Sequence, residues 1–110
     1  MMKKKAETNW NELWPVVNIL NEVCHGIGTN YAELGCKYED VFALLRKIAA
    51  YEAEEDKSED AIFLELTDRE IEILKMCFEE VFKQIEEWEF SIRVGIPKTE
   101  AINTKEKLTN

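Results

Sequence analysis

The feature that most constrains this chain is that it reads twice. Moved along by fifty-eight positions, Leu13 falls on Ile71, Val16 on Leu74, Ile19 on Cys77, Leu20 on Phe78, Val23 on Val81 and Ile27 on Ile85. Glu22 then falls on Glu80, and Cys24 on Phe82. With two further residues in the loop, Gly35 falls on Gly95. Beyond it Val41, Phe42, Lys47 and Ile48 meet Ala101, Ile102, Lys107 and Leu108. Phasing alone aligns any two amphipathic helices, but it does not align their glycines. Each half therefore reads as helix, glycine-marked loop, helix. Two such hairpins can bury their apolar faces against each other. This predicts an all-α fold of four main helices, two duplicated helical hairpins packed with pseudo-twofold symmetry.

The individual helices follow from periodicity and end signals. Trp10, Leu13, Trp14, Val17, Leu20, Cys24 and Ile27 recur at helical spacing, and Val16, Ile19 and Val23 widen the stripe. Asn9 and Glu12 have the spacing of a capping box. Pro15 leaves two starts open: a helix from Asn9 that it kinks, or a short turn followed by a helix from Pro15. Gly26 and Gly28 stop this helix. A second helix is expected over 38–53, with Tyr38, Val41, Phe42, Leu45, Ile48 and Ala49 inward. Thr67-Asp68-Arg69-Glu70 is a second capping box, with Leu66 and Ile71 placed as a hydrophobic staple. The helix it opens carries Leu74, Cys77, Phe78, Val81, Phe82, Ile85 and Trp88 inward and is expected to end near 88–90. Pro97 opens the last helix, whose thin apolar face of Ala101, Ile102 and Leu108 predicts fraying beyond Asn103. Residues 61–66 read as a packed connection or an early start to the third helix, since an isolated strand cannot make a sheet.

Length and composition fix the setting. With 110 residues and 45% hydrophobic content, the chain fits one domain with a core of its own. The boundaries expected are a disordered basic tail over 1–8 and a single helical domain over 9–108. That domain divides into a hairpin at 9–53, an acidic linker at 54–60 and a hairpin at 61–108. Lys3-Lys4-Lys5 is followed by Ala6-Glu7-Thr8 rather than by an apolar run, unlike a signal peptide. Cys24, Cys36 and Cys77 are odd in number and widely spaced, unlike a disulfide framework. Both point to a cytoplasmic location. A net charge of −9 disfavours nucleic acid and anionic membranes as partners and is compatible with a basic protein.

Two stretches carry resemblances. Asn21-Glu22-Val23-Cys24-His25-Gly26-Ile27 and Trp88-Glu89-Phe90-Ser91-Ile92-Arg93-Val94-Gly95 resemble segments of small uncharacterised bacterial helical proteins. That resemblance implies an all-helical fold and no chemistry. Leu66-Thr67-Asp68-Arg69-Glu70-Ile71-Glu72-Ile73-Leu74 resembles the first helix of LuxR-like helix-turn-helix domains, which would imply a DNA-binding regulator. Three departures count against it. The stretch to Gly95 is too long, its middle is acidic and turnless, and the would-be recognition helix sets Glu100 and Glu106 against Lys98, Lys105 and Lys107.

Candidate chemistry is sparse. There is no nucleophile elbow, phosphate loop or dinucleotide fingerprint, so the reading is a non-enzyme with no cofactor. Glu22 and His25 form one Glu-x-x-His, but Glu80 is followed by Lys83 at the matching place, so no metal site is expected. Glu22, His25, Glu80 and Arg93 stand near the hairpin turns and are the candidate residues for a small ligand. Residues 52–89 hold fifteen acidic against four basic residues. Glu52, Glu54, Glu55, Asp56, Glu59 and Asp60 are candidates for binding a basic protein, and an exposed Trp10 would add an apolar anchor. The first expectation is thus a small acidic helical interaction module, immunity- or antitoxin-like or a regulatory adaptor. A ligand- or metal-binding bundle and a DNA-binding regulator are the alternatives. Modest size and internal symmetry are also compatible with a homodimer.

Overall fold

The computed structural model describes residues 3–52 and 59–110. The first of its elements corrects the sequence reading. Lys3–Thr8 is a strand, β1, not a disordered tail. It pairs antiparallel with β2, Ile62–Thr67, in a register that sets Lys3 opposite Thr67 and Thr8 opposite Ile62. The alternation explains the pairing. Ala6 and Thr8 turn inward beside Leu64 and Leu66, while Lys5, Glu7, Phe63 and Glu65 face out. Residues 61–66 lacked only a partner, and the chain's beginning supplies it. The molecule is therefore mostly helical, with one small two-stranded sheet.

Helix α1, Trp10–Asn21, starts where the capping signal places it. The Asn9 side chain accepts the Glu12 amide at 3.1 Å. Pro15 lies buried inside this helix rather than at its start. The helix runs on into a π-helical turn, Glu22–Gly26, closed by the Ile27 amide donating to the Glu22 carbonyl at 2.9 Å. The expected loop before Gly35 holds one further turn, α2, Tyr31–Leu34, capped by Asn30. Helix α3 covers Tyr38–Ala49, shorter than 38–53.

In the second half, Thr67 and Glu70 form the full capping box of α4, Asp68–Gln84, with reciprocal bonds of 3.1 and 2.9 Å. The helix does not reach Trp88. Ile85 turns extended to bury its side chain, and a separate helix α5 covers Glu87–Val94. Helix α6, Lys98–Thr109, stays regular past Asn103, because Thr104, Leu108 and Thr109 are buried on its inner face.

One apolar cluster joins both halves. Leu13, Val16, Ile19 and Leu20 of α1 and Val41, Leu44 and Ile48 of α3 share it with Leu74, Cys77, Phe78 and Val81 of α4 and Phe90 and Val94 of α5. Each fully buried aliphatic or aromatic side chain contributes about 1.5–3 kcal/mol relative to exposure. Polar links also join the two halves of the chain. Lys107 of α6 donates to Glu12 of α1 at 2.7 Å, and Lys47 of α3 donates to Glu70 of α4 at 2.7 Å. Asn18 of α1 donates to the Val94 carbonyl at 2.8 Å, while Arg69 of α4 donates to the Gly35 carbonyl at 3.2 Å. Among the described residues, no helix is long and apolar enough to cross a membrane.

Candidate functional site

The four residues singled out for a ligand fall in three places. At the first, the Arg93 guanidinium of α5 donates to the Glu22 carboxylate and, at 3.2 Å, to the Gly26 carbonyl. Glu89 adds a longer contact at 3.8 Å. One guanidinium nitrogen, Nη2, thus links both ends of the π-helical turn, donating to a carboxylate and a carbonyl together. A Cβ at Gly26 would run into the Glu22 carboxylate and displace it from Arg93. Both side chains are largely withdrawn from water, at 28% and 15% exposure. Arg93 is the internal counter-ion of Glu22, so this place is already filled.

Glu80 lies elsewhere, on the side of α4 that faces α2. It borders a hollow of about 220 Å³ between α4 and α2, with Glu33, Leu34, Met76, Glu79 and Lys83 around it. His25 joins neither place. It is exposed on the π-helical turn and packs edge-on to Tyr38 at 5.9 Å and to Phe42 at 6.5 Å. Glu22 and Arg93 are brought together, then, while His25 and Glu80 are not part of that group.

The three thiols gather near Tyr31. Burial pushes the Cys24, Cys36 and Cys77 thiols up from their ordinary range, Cys77 most strongly. The Tyr31 phenol is pushed up to about 12 by burial and by the neighbouring thiols, and its hydroxyl donates to the Val23 carbonyl at 3.1 Å. Thiols held in this direction stay protonated at neutral pH and are poor nucleophiles. Among the described residues, no three His, Cys, Asp or Glu side chains converge as metal ligands.

The candidates for partner binding fare differently. Glu54, Glu55 and Asp56 lie outside the described residues; Glu52, Glu59 and Asp60 are exposed on either side of them. Trp10 is not an exposed anchor: it is half-buried and packed on the core. The exposed tryptophan is Trp88, assigned above to an inner stripe. The break at Ile85 re-phases the chain, so α5 buries Phe90 and Val94 and turns Trp88 and Ile92 outward. These two are 69% and 75% exposed and lie four residues apart on one helical face. The Trp88 indole donates to the Glu86 carboxylate at 2.6 Å, which holds the ring in place. The signal was present in the repeat: counted back from the two glycines, Trp88 and Ile92 stand where the first half has Gly28 and Ala32.

The lysines of α6 are all engaged. Lys105 pairs with Glu79 at 3.4 Å, Lys107 with Glu12, and Lys98 lies over the Phe82 ring at 5.5 Å. Such a helix presents little free positive charge to phosphates. No family model, curated protein or solved structure matches the chain.

Proposed function

We propose that this chain is a small acidic interaction module that receives a basic protein partner. One observation carries the reading. Trp88 and Ile92 form an exposed apolar pair on α5, flanked in sequence by Glu86, Glu87 and Glu89. An aromatic anchor with a charged rim is the usual anatomy of a binding hot spot. The hydrogen bond from Trp88 to Glu86 lowers the entropy lost on docking, because the ring is held before the partner arrives. The net charge of −9 steers basic partners toward it.

The module is read as a duplicated strand–helix–helix–helix unit with pseudo-twofold symmetry. Several features support this. The order of elements repeats, both short helices end on a glycine at positive φ (94° and 99°), and both final helices have twelve residues. The Glu12–Lys107 and Glu70–Lys47 pairs exchange under the same register. In this view the second copy acquired the exposed pair, and the first kept Gly28 and Ala32.

The test is a comparative capture from the native host with wild type, Trp88→Ala and Ile92→Ala. A basic protein enriched by wild type, reduced at least about tenfold by either substitution and released by salt, is the expected result. Equal recovery by all three proteins would sink the reading.

A further inference from the structure

The two outer edges of the small sheet differ in charge. Strand β1 carries three lysines in six residues, and lysine on an edge strand is a common guard against further pairing. Strand β2, Ile62-Phe63-Leu64-Glu65-Leu66-Thr67, carries no lysine, proline or glycine. Among the described residues, no third strand lies beside β2. Nor does any backbone–backbone hydrogen bond reach Ile62–Leu66 from outside the ladder with β1. Such an edge is a row of open N–H and C=O groups on which another strand can form.

We propose that the outer edge of β2 receives an extended basic segment of the protein partner as a third strand. This rests on the reading above of a basic partner and names how part of that partner is held. Exposed carboxylates mark the edge along its length: Glu59 and Asp60 before the strand, Glu65 within it and Asp68 after it. Lys5 stands opposite Glu65 in the ladder, but its ammonium lies over the Phe63 ring at 5.6 Å rather than on the carboxylate. Glu65 therefore faces out beside an open edge without a cation of its own among the described residues.

A strand added beside β2 presents its side chains alternately to the two faces of the sheet. On the outer face a basic side chain meets Glu65, and an aliphatic one meets Phe63, which is 53% exposed. On the inner face aliphatic side chains continue the row of Ile62, Leu64 and Leu66. Main-chain bonds give such a contact its affinity, and the alternating side chains give it selectivity. A second copy of the chain fits less well. Its β2 brings the same carboxylates, on a chain of net charge −9. Its β1 is basic, but pairing β1 with the β2 of the next copy repeats without closing and strings copies into a filament.

The test is an amide-resolved NMR titration of the full chain with the acetylated, amidated peptide Lys-Val-Lys-Val-Thr-Val-Lys, with hydrogen exchange read in the same samples. Saturable shifts are expected along Ile62–Leu66. Exchange of the alternate β2 amides outside the ladder is expected to slow at least about tenfold. The acidic peptide Glu-Val-Glu-Val-Thr-Val-Glu is expected to bind at least about tenfold more weakly. Of two basic peptides N-methylated on alternate residues in opposite phase, only one is expected to bind, since a third strand uses one edge of its backbone. Glu65→Gln, at an exposed position, is expected to weaken the basic peptide about threefold. Absence of saturable shifts overturns the proposal, as does equal binding of the acidic peptide or equal behaviour of the two N-methylated ones. Protection of the same β2 amides in a concentration-dependent dimer without peptide gives the edge to a second copy and overturns it too. The capture comparison at Trp88 uses none of these residues. Loss of capture in Trp88→Ala without a peptide response removes the third strand and leaves the interaction reading standing.

Discussion

The two short helices, α2 and α5, hold the same place in the order of elements and have little else in common. Each follows a long helix and ends at a left-handed glycine, Gly35 or Gly95, three residues before a twelve-residue helix. Helix α2 is a single turn with no buried residue. Helix α5 has eight residues, buries Phe90 and Val94 completely and holds the end of α1 through Arg93 and the Val94 carbonyl. The comparison separates what the two helices share from what α5 alone carries. Both share the glycine turn and its approach to the facing long helix. The extra length, the buried phenylalanine, the guanidinium clamp and the outward Trp88–Ile92 pair belong to α5 alone.

The glycines give the sharpest test of that difference. Both need positive φ, so Gly35→Ala and Gly95→Ala each carry the left-handed penalty of about 1–2 kcal/mol. At Gly35 a Cβ would meet the Met76 Sδ at an ordinary 3.5 Å. At Gly95 it would run into the Trp14 ring, which adds an overpacking cost of about 1–3 kcal/mol. Urea unfolding should therefore find Gly95→Ala less stable than Gly35→Ala by at least about 1 kcal/mol. Equal losses would mean that α5 sits no closer to its long helix than α2 does.

A smaller effect tests the ion pairs between the halves. Burial alone would raise the Glu70 carboxyl, but the Lys47 ammonium and the Thr67 amide and hydroxyl outweigh it and hold it below the usual range. A lowered folded-state value means that this stability is present above the unfolded carboxylate pKa of roughly 4.3 and is lost as pH falls through the folded one. Lys47→Met should remove about 0.5 kcal/mol near neutral pH and flatten the acid limb of a stability–pH curve. An unchanged acid limb would mean that Lys47 does not hold the carboxylate.

Much of the helical framework was legible because its signals are local. Asn9, Thr67 and Glu70 mark two helix starts, and Gly35 and Gly95 mark matching turns. Strand β1 was not legible. Its six residues carry three lysines, and its partner lies about sixty positions away, so neither strand has meaning alone. The break between α4 and α5 has no proline or glycine to announce it; burial of Ile85 bends the chain there. That bend decides which way Trp88 faces, which is why the residue read as core is exposed. Of the candidate site, the sequence grouped Glu22 and Arg93 near the hairpin turns together with His25 and Glu80, but only the first two meet.

The two halves of the chain share one sheet and one core, so each is expected to need the other. The most direct measurement uses residues 1–52 and 59–110 as separate polypeptides, followed by circular dichroism and sedimentation alone and at equimolar mixing. At about fifty residues each, with paired strands and ion pairs that cross between them, neither half has enough core to fold alone. The account predicts two largely unfolded fragments that regain helix and a cooperative melt as a 1:1 complex. A stable folded monomer from either half alone would contradict it.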